Sequence, residues 1–290
     1  MRQMINKLIL GTAQFGLDYG INNSFGKPNE DKIQQMLDFA YINGIEWLDT
    51  ADAYGNATEL IGQYFKEHGQ RFKINTKFKG NINSITYHLK SSLSKMNINQ
   101  VDTYFYHSYD DFKNKPEFLN ELLKLKASGL IKKIGLSVYE NYEFEKAALS
   151  SEIDVIQFPF NLLDNLQQRG SLMKFAKSRG KQLHARSVFM QGLFLKKCDN
   201  IPAKLAPLKP YLKQINRLSQ QYNIEIEHLA LAYAMQQPEI DQVIIGVDNI
   251  MQLQQNIQIA IEPIDSQIIN TIDQIFVQEI ELLYPKNWNI

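Results

Sequence analysis

One cysteine, no net charge and no long apolar run characterise this 290-residue chain. The single Cys198 excludes an internal disulfide and suits a reducing compartment. Thirty-one Lys and Arg balance thirty-one Asp and Glu, so there is no net field to draw in nucleic acid or an anionic membrane. No apolar stretch approaches the ~20 residues of a membrane span, and the segment 1–10 lacks the apolar core of a signal peptide. His, Cys and Asp nowhere fall at zinc-binding spacings. Ser187 has no G-x-S-x-G around it, which argues against a serine nucleophile. Gly/Ser linkers and low-complexity tracts are missing too. These absences predict one cytoplasmic domain over residues 1–290, a monomer or small homo-oligomer. It is expected to act on a small molecule, with no metal, nucleic acid or membrane partner.

A chain that is 44% hydrophobic can bury a sizeable core. Its apolar residues come in short strand-like runs, near Leu8–Leu10, Glu46–Asp49, Lys73–Thr76, Thr103–Tyr106, Ile134–Val138, Val155–Phe158, Gln182–Arg186 and Gln242–Ile245. Helical patterns lie between most of them. Pro28 to Asn43 carries Ile33, Met36, Leu37 and Ala40 on one face and stops at Gly44. Phe118–Ser128 and Glu227–Gln236 read the same way. Strands alternating with helices imply a parallel sheet, and eight such units suit an α/β fold of the (β/α)8, or TIM, barrel type. The competitor, a doubly wound open sheet, usually opens with G-x-G-x-x-G after its first strand. Gly11-Thr12-Ala13-Gln14-Phe15-Gly16 does not supply it. Two segments exceed what a barrel needs: a long connection, Ser187–Pro210, and an extra C-terminal helix at about Asp265–Leu282, followed by a tail holding Trp288.

Groups at the C-terminal ends of barrel strands converge on one mouth. Asp49, Lys77 and His107 stand at three such ends, with Tyr54 one loop beyond Asp49. Each has an ordinary reading alone: helix cap, rim charge, strand-end histidine, turn aromatic. Together they form a proton-transfer set. A phenol is a poor acid at neutral pH, and a neighbouring ammonium favours its phenolate. Lys77 is therefore expected to lower the pKa of Tyr54, with Asp49 holding Lys77 and His107 bonding a substrate oxygen. Such a set protonates a carbonyl oxygen as charge develops on it.

These residues sit in longer motifs. Leu10-Gly11-Thr12-Ala13, Asp49-Thr50-Ala51-x-x-Tyr54-Gly55, Thr76-Lys77 and Asp102-Thr103-Tyr104-x-x-His107 come first. Gly135-Leu136-Ser137, Gln157-x-x-x-Asn161, Gln191-Gly192-Leu193 and Gly246 with Gln255-Asn256 follow. In order and spacing the chain resembles the aldo-keto reductase family over nearly its whole length. The resemblance implies a barrel that binds NADP(H) or NAD(H) across its mouth and transfers a hydride between the cofactor and an aldehyde or ketone, or the corresponding alcohol. It implies Tyr54 as acid, Asp49 and Lys77 as a pair, and His107 orienting the carbonyl. It puts Gly11, Thr12, Asp49 and Ser187 along the cofactor, Ser137 and Gln157 at the nicotinamide carboxamide, and Gly192 and Leu193 at the pyrophosphate. Gly246, Asp248, Asn249, Gln252, Gln255 and Asn256 fall at the adenosine end.

Three departures stand out. The family often has a basic residue at Asp248 or Gln252 to meet the 2′-phosphate of NADPH; here one is acidic and the other neutral, which predicts weaker discrimination for NADP than usual and leaves NAD use open. Arg186 replaces an aromatic residue that stacks on the nicotinamide; its guanidinium can stack in turn, or reach a carboxylate or phosphate on the substrate. Val138 stands where an asparagine is common. The opening segment, with Arg186-Ser187-Val188-Phe189, is similar to a branch found among bacterial surface-polysaccharide enzymes, which points to a sugar or nucleotide-sugar carbonyl. Two other readings remain: a subunit that senses the redox state of bound nicotinamide, and a sugar epimerase or lyase using Tyr54 and Lys77 without net redox. Tyr19, Phe25, Tyr109 and Phe112 are the expected apolar contacts of the substrate. Trp288 is either a pocket wall or a packed anchor.

Overall fold

The eight apolar runs pair edge to edge in chain order and close on themselves. The computed structural model describes residues 2–23, 26–80, 82–196 and 200–288; Phe25 and Cys198 lie outside them. The strands are β1 (Leu8–Gly11), β2 (Trp47–Asp49), β3 (Lys73–Phe78), β4 (Val101–Tyr106), β5 (Ile131–Ser137), β6 (Val155–Pro159), β7 (Gln182–Arg186) and β8 (Gln242–Gly246). All neighbours are parallel and β1 pairs with β8, giving a closed barrel. This is the (β/α)8 fold, with one helix or more after each strand. Among the described residues no helix is long and apolar enough to cross a membrane.

Local chemistry sets the element ends. The helix Glu30–Ile42 begins where the Asn29 side chain accepts from the Lys32 N–H, carries Glu30 and Asp31 in its first turn, and stops before Gly44 at φ +89°. Its apolar stripe, Ile33, Met36, Leu37 and Ala40, is buried against the barrel. Inside the barrel, inward-facing side chains fill the space. Phe105 lies with its ring 6.1 Å from His184, and a Cβ on Gly135 would sit 2.3 Å from the Phe105 ring. A glycine in β5 is what lets phenylalanine fill the middle of the barrel.

The expected C-terminal helix is shorter than its apolar pattern suggests. It spans Ser266–Asp273, capped by the Asp265 carboxylate, and the chain then turns through short 3₁₀ segments at Ile280–Leu283 and Pro285–Asn287. The buried Asn165 amide donates to both the Ile272 and Ile275 carbonyls at 2.9 Å, taking acceptors that another helical turn would use. Trp288 is buried, and its indole N–H donates to the Leu282 carbonyl at 2.8 Å, so it anchors the tail and does not wall a pocket.

At the barrel mouth, two backbones come into contact. A Cβ on Gly16 would lie 1.8 Å from the Tyr54 carbonyl oxygen, and one on Gly55 would lie 2.3 Å from the Gly16 carbonyl oxygen. Only glycine fits at either place, and Gly55 also adopts φ +53°. The turn carrying Tyr54 is thus seated directly on the short helix Ala13–Gly16. Gly16→Ala should lower unfolding free energy by on the order of 1–3 kcal/mol through overpacking. Gly170→Ala, in the helix Leu166–Ser178 where a Cβ meets only ordinary contacts, should not destabilise. Urea unfolding of the two variants reads the difference.

Candidate active site

The inward-facing ends of β2, β3 and β6 bring three polar side chains together below the mouth. Lys77 Nζ forms an ion pair with Asp49 Oδ1 and donates to the Thr50 carbonyl at 3.3 Å. Gln157 Nε2 donates to Asp49 Oδ2 at 2.9 Å. Both carboxylate oxygens are therefore satisfied, although Asp49 and Lys77 are only 3% and 2% exposed. A buried pair needs this, because an uncompensated charge there costs several kcal/mol. Register lines these residues up, with Asp49 opposite Asn75 and Ser137 opposite Gln157.

Tyr54 sits above the pair, its ring centroid 5.4 Å from Lys77 Nζ. The His107 ring stands edge-on to it, 6.1 Å away at 89°. Phenol, imidazole, ammonium and carboxylate all line one cavity of about 530 Å³.

The electrostatics reverse one expectation. Burial raises the pKa of Tyr54, and the Asp49 carboxylate raises it further, against the opposing charge of Arg186. Lys77 does not lower it because its charge is taken up by Asp49 at contact distance. Burial pulls the Lys77 pKa down, while Asp49 pushes it back up. Tyr54 is thus a fully protonated phenol at neutral pH. Burial, with the charges of Lys77, Lys79 and Arg186 behind it, drops His107 to about 3. Its imidazole is neutral, and its buried Nδ1 has no partner among the described residues.

The same cavity is lined by Gly11, Thr12, Ser137, Arg186, Ser187, Gly192, Gly246, Asp248, Gln252, Gln255 and Asn256. Two residues expected beside them lie elsewhere. Leu193 is fully buried in the core, because the turn at Gln191 and Gly192 swings it inward. Asn249 caps the helix Ile250–Ile259, its side chain accepting from the Gln252 N–H at 3.0 Å. Gln157 lines the cavity too, and its Nε2 also supports Asp49. The segment after His107 folds away from the cavity: Ser108 caps the helix Tyr109–Asn114, and Phe112 packs on Tyr106 at 5.4 Å. Tyr109 is buried beside Tyr142, whereas Tyr19 does reach the cavity.

Sequence reasoning passed over Gln14, Tyr139, Glu227 and Lys286, which also line the cavity. Tyr139 carried a usable signal, since it follows the end of β5 just past Ser137. The connection after β7 is strained, with Ser187, Met190 and Gln191 at φ +58°, +48° and +55°. It interlocks with the connection after β1. Ile21 N–H donates to the Gln191 carbonyl at 3.0 Å, and a Cβ on Gly192 would be 2.6 Å from Asn22 Cβ.

The adenosine-side wall has one unmet acceptor. Gln252 Oε1 accepts from the Asp248 backbone N–H at 2.8 Å, and Gln252 Nε2 reaches Asp248 Oδ2 at 3.4 Å. Asp248 Oδ1 is buried with no partner among the described residues, and burial raises the carboxyl pKa. A cavity of about 530 Å³ reaching from Tyr54 to Asn256, glycines where a Cβ would collide and an orphaned acceptor together fit a dinucleotide. No group of His, Cys, Asp and Glu among the described residues is placed to hold a metal ion.

Comparison with known proteins agrees with this geometry. The Aldo/keto reductase family matches residues 7–276. A probable aldo-keto reductase of Glycine max is 26% identical, covering 87% of this chain and 84% of that protein. An aldo-keto reductase of Bacillus subtilis is 24% identical, over 93% and 88%. The solved holo form of an aldo-keto reductase from Bacillus halodurans superimposes with a TM-score of 0.76 at 20% identity, over 97% of this chain and 94% of that one.

The buried imidazoles set an acid-side stability limit. His184, like His107, is depressed to about 3 by burial. An unfolded histidine titrates near 6.5, so below that pH the unfolded chain binds protons that the folded one refuses. Stability should therefore fall as pH drops from about 6.5 toward about 3. At about 1.36 kcal/mol per pH unit, His184 alone should account for about 2 kcal/mol between pH 6.5 and pH 5. His184→Asn should flatten the decline by that amount in urea unfolding at the two pH values.

Proposed function

The chain belongs to the aldo/keto reductase family of NAD(P)-dependent oxidoreductases, and on that premise we propose that Tyr54 is its proton donor. The observation that carries this reading is the buried Asp49–Lys77 pair directly beneath the Tyr54 ring, with a neutral His107 at its edge. When bound, the nicotinamide cofactor supplies the hydride. Tyr54 gives its proton to the carbonyl oxygen as charge develops there, with the buried Asp49–Lys77 pair beneath its ring fixing where the phenol sits. Asp49 keeps Lys77 in place and charged. His107, neutral at any working pH, directs its ring N–H at the carbonyl oxygen without competing as an acid. Reverse oxidation uses the same residues with the proton moving back to Tyr54.

The nucleotide preferred is NAD(H). Asp248 Oδ1, buried and unpartnered, suits a ribose hydroxyl, while the same carboxylate repels a 2′-phosphate. Gln252 has no charge to offset it, and it is already bonded to Asp248. Gly11, Thr12, Ser137, Ser187, Gly192, Gly246, Gln255 and Asn256 form the remaining cofactor surface. The substrate is an aldehyde or ketone, and the opening segment with Arg186-Ser187-Val188-Phe189 points to a sugar or nucleotide-sugar carbonyl. The setting is cytoplasmic.

Tyr54→Phe should reduce turnover by about 10²–10⁴-fold in a nicotinamide absorbance assay with a panel of aldehydes, while the cofactor still raises the melting temperature. Cofactor binding with no turnover in the wild type would instead indicate a redox sensor. Product formation with no absorbance change would indicate an epimerase or lyase. In thermal shift, NADH should stabilise the wild type at least as much as NADPH at equal concentration, and Asp248→Arg should reverse that order. A strong NADPH preference in the wild type would overturn the Asp248 assignment.

A further inference from the structure

At the cavity rim, three elements distant in sequence bring cations together around one aromatic ring. Arg186, the last residue of β7, holds its guanidinium 4.1 Å over the Tyr139 ring. Lys286, from the tail, holds its ammonium 4.8 Å from the same ring. All three residues line the cavity. The ring is itself fixed from behind. Arg169 is 1% exposed, forms a two-point ion pair with Asp164 at 2.6 and 2.8 Å, and donates to the Tyr139 carbonyl at 2.5 Å and to Asn141 Oδ1 at 2.7 Å. Tyr284 flanks this network, 5.7 Å from Tyr139. A buried ion pair at this depth, bonded to the backbone of Tyr139, makes the ring a rigid platform.

The cation it carries lacks an ion-pair partner at contact distance. Arg186 donates to the Val138 carbonyl at 3.1 Å and to Ser187 Oγ at 3.2 Å. No carboxylate among the described residues lies within ion-pair distance of it, and Asp164, which feels its charge, is already paired with Arg169. A guanidinium has five N–H donors in a planar fork, so most remain unused. Lys286 has only long contacts of 3.6 Å to Glu140 and 3.9 Å to Glu143. Glu143 is already accepting from the Tyr139 and Glu140 backbone N–H groups at 2.6 and 3.1 Å. A half-buried, pre-positioned guanidinium with free donors is a receptor for a planar or tetrahedral oxyanion. The charge of Arg186 also acts on Tyr54, Lys77 and His107, which puts it at the catalytic end of the cavity, away from Asp248.

We propose that Arg186, mounted on Tyr139 and joined by Lys286, is the subsite for an anionic group on the substrate. The carbonyl compound taken by this site therefore carries a carboxylate or phosphate within reach of its reacting carbon. This rests on the reductase reading above and narrows its substrate class. The competing source of an oxyanion is the cofactor's own pyrophosphate.

The test uses a matched pair, 4-carboxybenzaldehyde and its neutral methyl ester, with the full-length protein and saturating cofactor. The wild type should show kcat/KM at least tenfold higher for the acid. In Arg186→Met the acid-to-ester ratio should fall at least tenfold, and in Arg186→Lys it should fall less. The ratio cancels any general effect of the substitution on folding or on cofactor. An unchanged ratio with a raised KM for NADH would move the anion to the cofactor and overturn the proposal while leaving the reductase intact. If neither aldehyde turns over with NADH or NADPH, the reductase reading fails separately. Calorimetric titration of the same two compounds onto cofactor-free protein then decides the subsite. Preferential binding of the acid, lost in Arg186→Met, upholds it, and equal affinities overturn it.

Discussion

The burial of one ion pair, Asp49 with Lys77, governs the mouth of this barrel. Two charges this far from water are tolerable only with close partners, and β2, β3 and β6 supply them. Lys77 takes one oxygen of Asp49, Gln157 takes the other, and the Thr50 carbonyl takes a second proton of Lys77. That requirement ties β2, β3 and β6 to a common register. It also demands that the chain after Asp49 turn sharply, and the Gly16–Gly55 contact provides the clearance for that turn. Tyr54 is delivered above the pair as a consequence.

Once the pair is neutral as a unit, its neighbours divide the proton chemistry between them. Burial raises Tyr54 and lowers His107, so both stay uncharged across the neutral range. The phenol holds a proton to give, and the imidazole can orient an oxygen without protonating it. Excess positive charge at this end of the cavity resides on Arg186, held apart from the acids on an aromatic platform. Chemistry and substrate recognition thus draw on different cations, and Lys77 is spared from pairing with a ligand.

What the sequence makes legible follows from how local each cause is. The strands are set by short apolar runs, and β7 falls on Gln182–Arg186 as read. Asp49, Tyr54, Lys77 and His107 were readable because strand ends of a barrel converge by topology alone. Causes acting across the chain were hidden. The C-terminal helix stops at Asp273 because Asn165, 110 residues before Ile275, takes its carbonyls. Tyr109 and Phe112, expected at the substrate, are turned away because Ser108 caps a helix that packs Phe112 against Tyr106. The direction of the Tyr54 shift is set first by burial and then by Asp49, and the depth of the ring in the fold is not written in the residues around it. Tyr139 escaped notice since its partner Arg186 and its anchor Arg169 come from other units.

The most direct test of this arrangement is the pH dependence of kcat for aldehyde reduction in the wild type and in His107→Gln. With a buried, protonated Tyr54 as donor, the rate should stay level from about pH 6 to about pH 9, and His107→Gln should lower it without changing its shape. A rate that falls with rising pH around a midpoint near 6.5, and loses that fall in His107→Gln, would make the imidazolium the donor and contradict the role given to Tyr54.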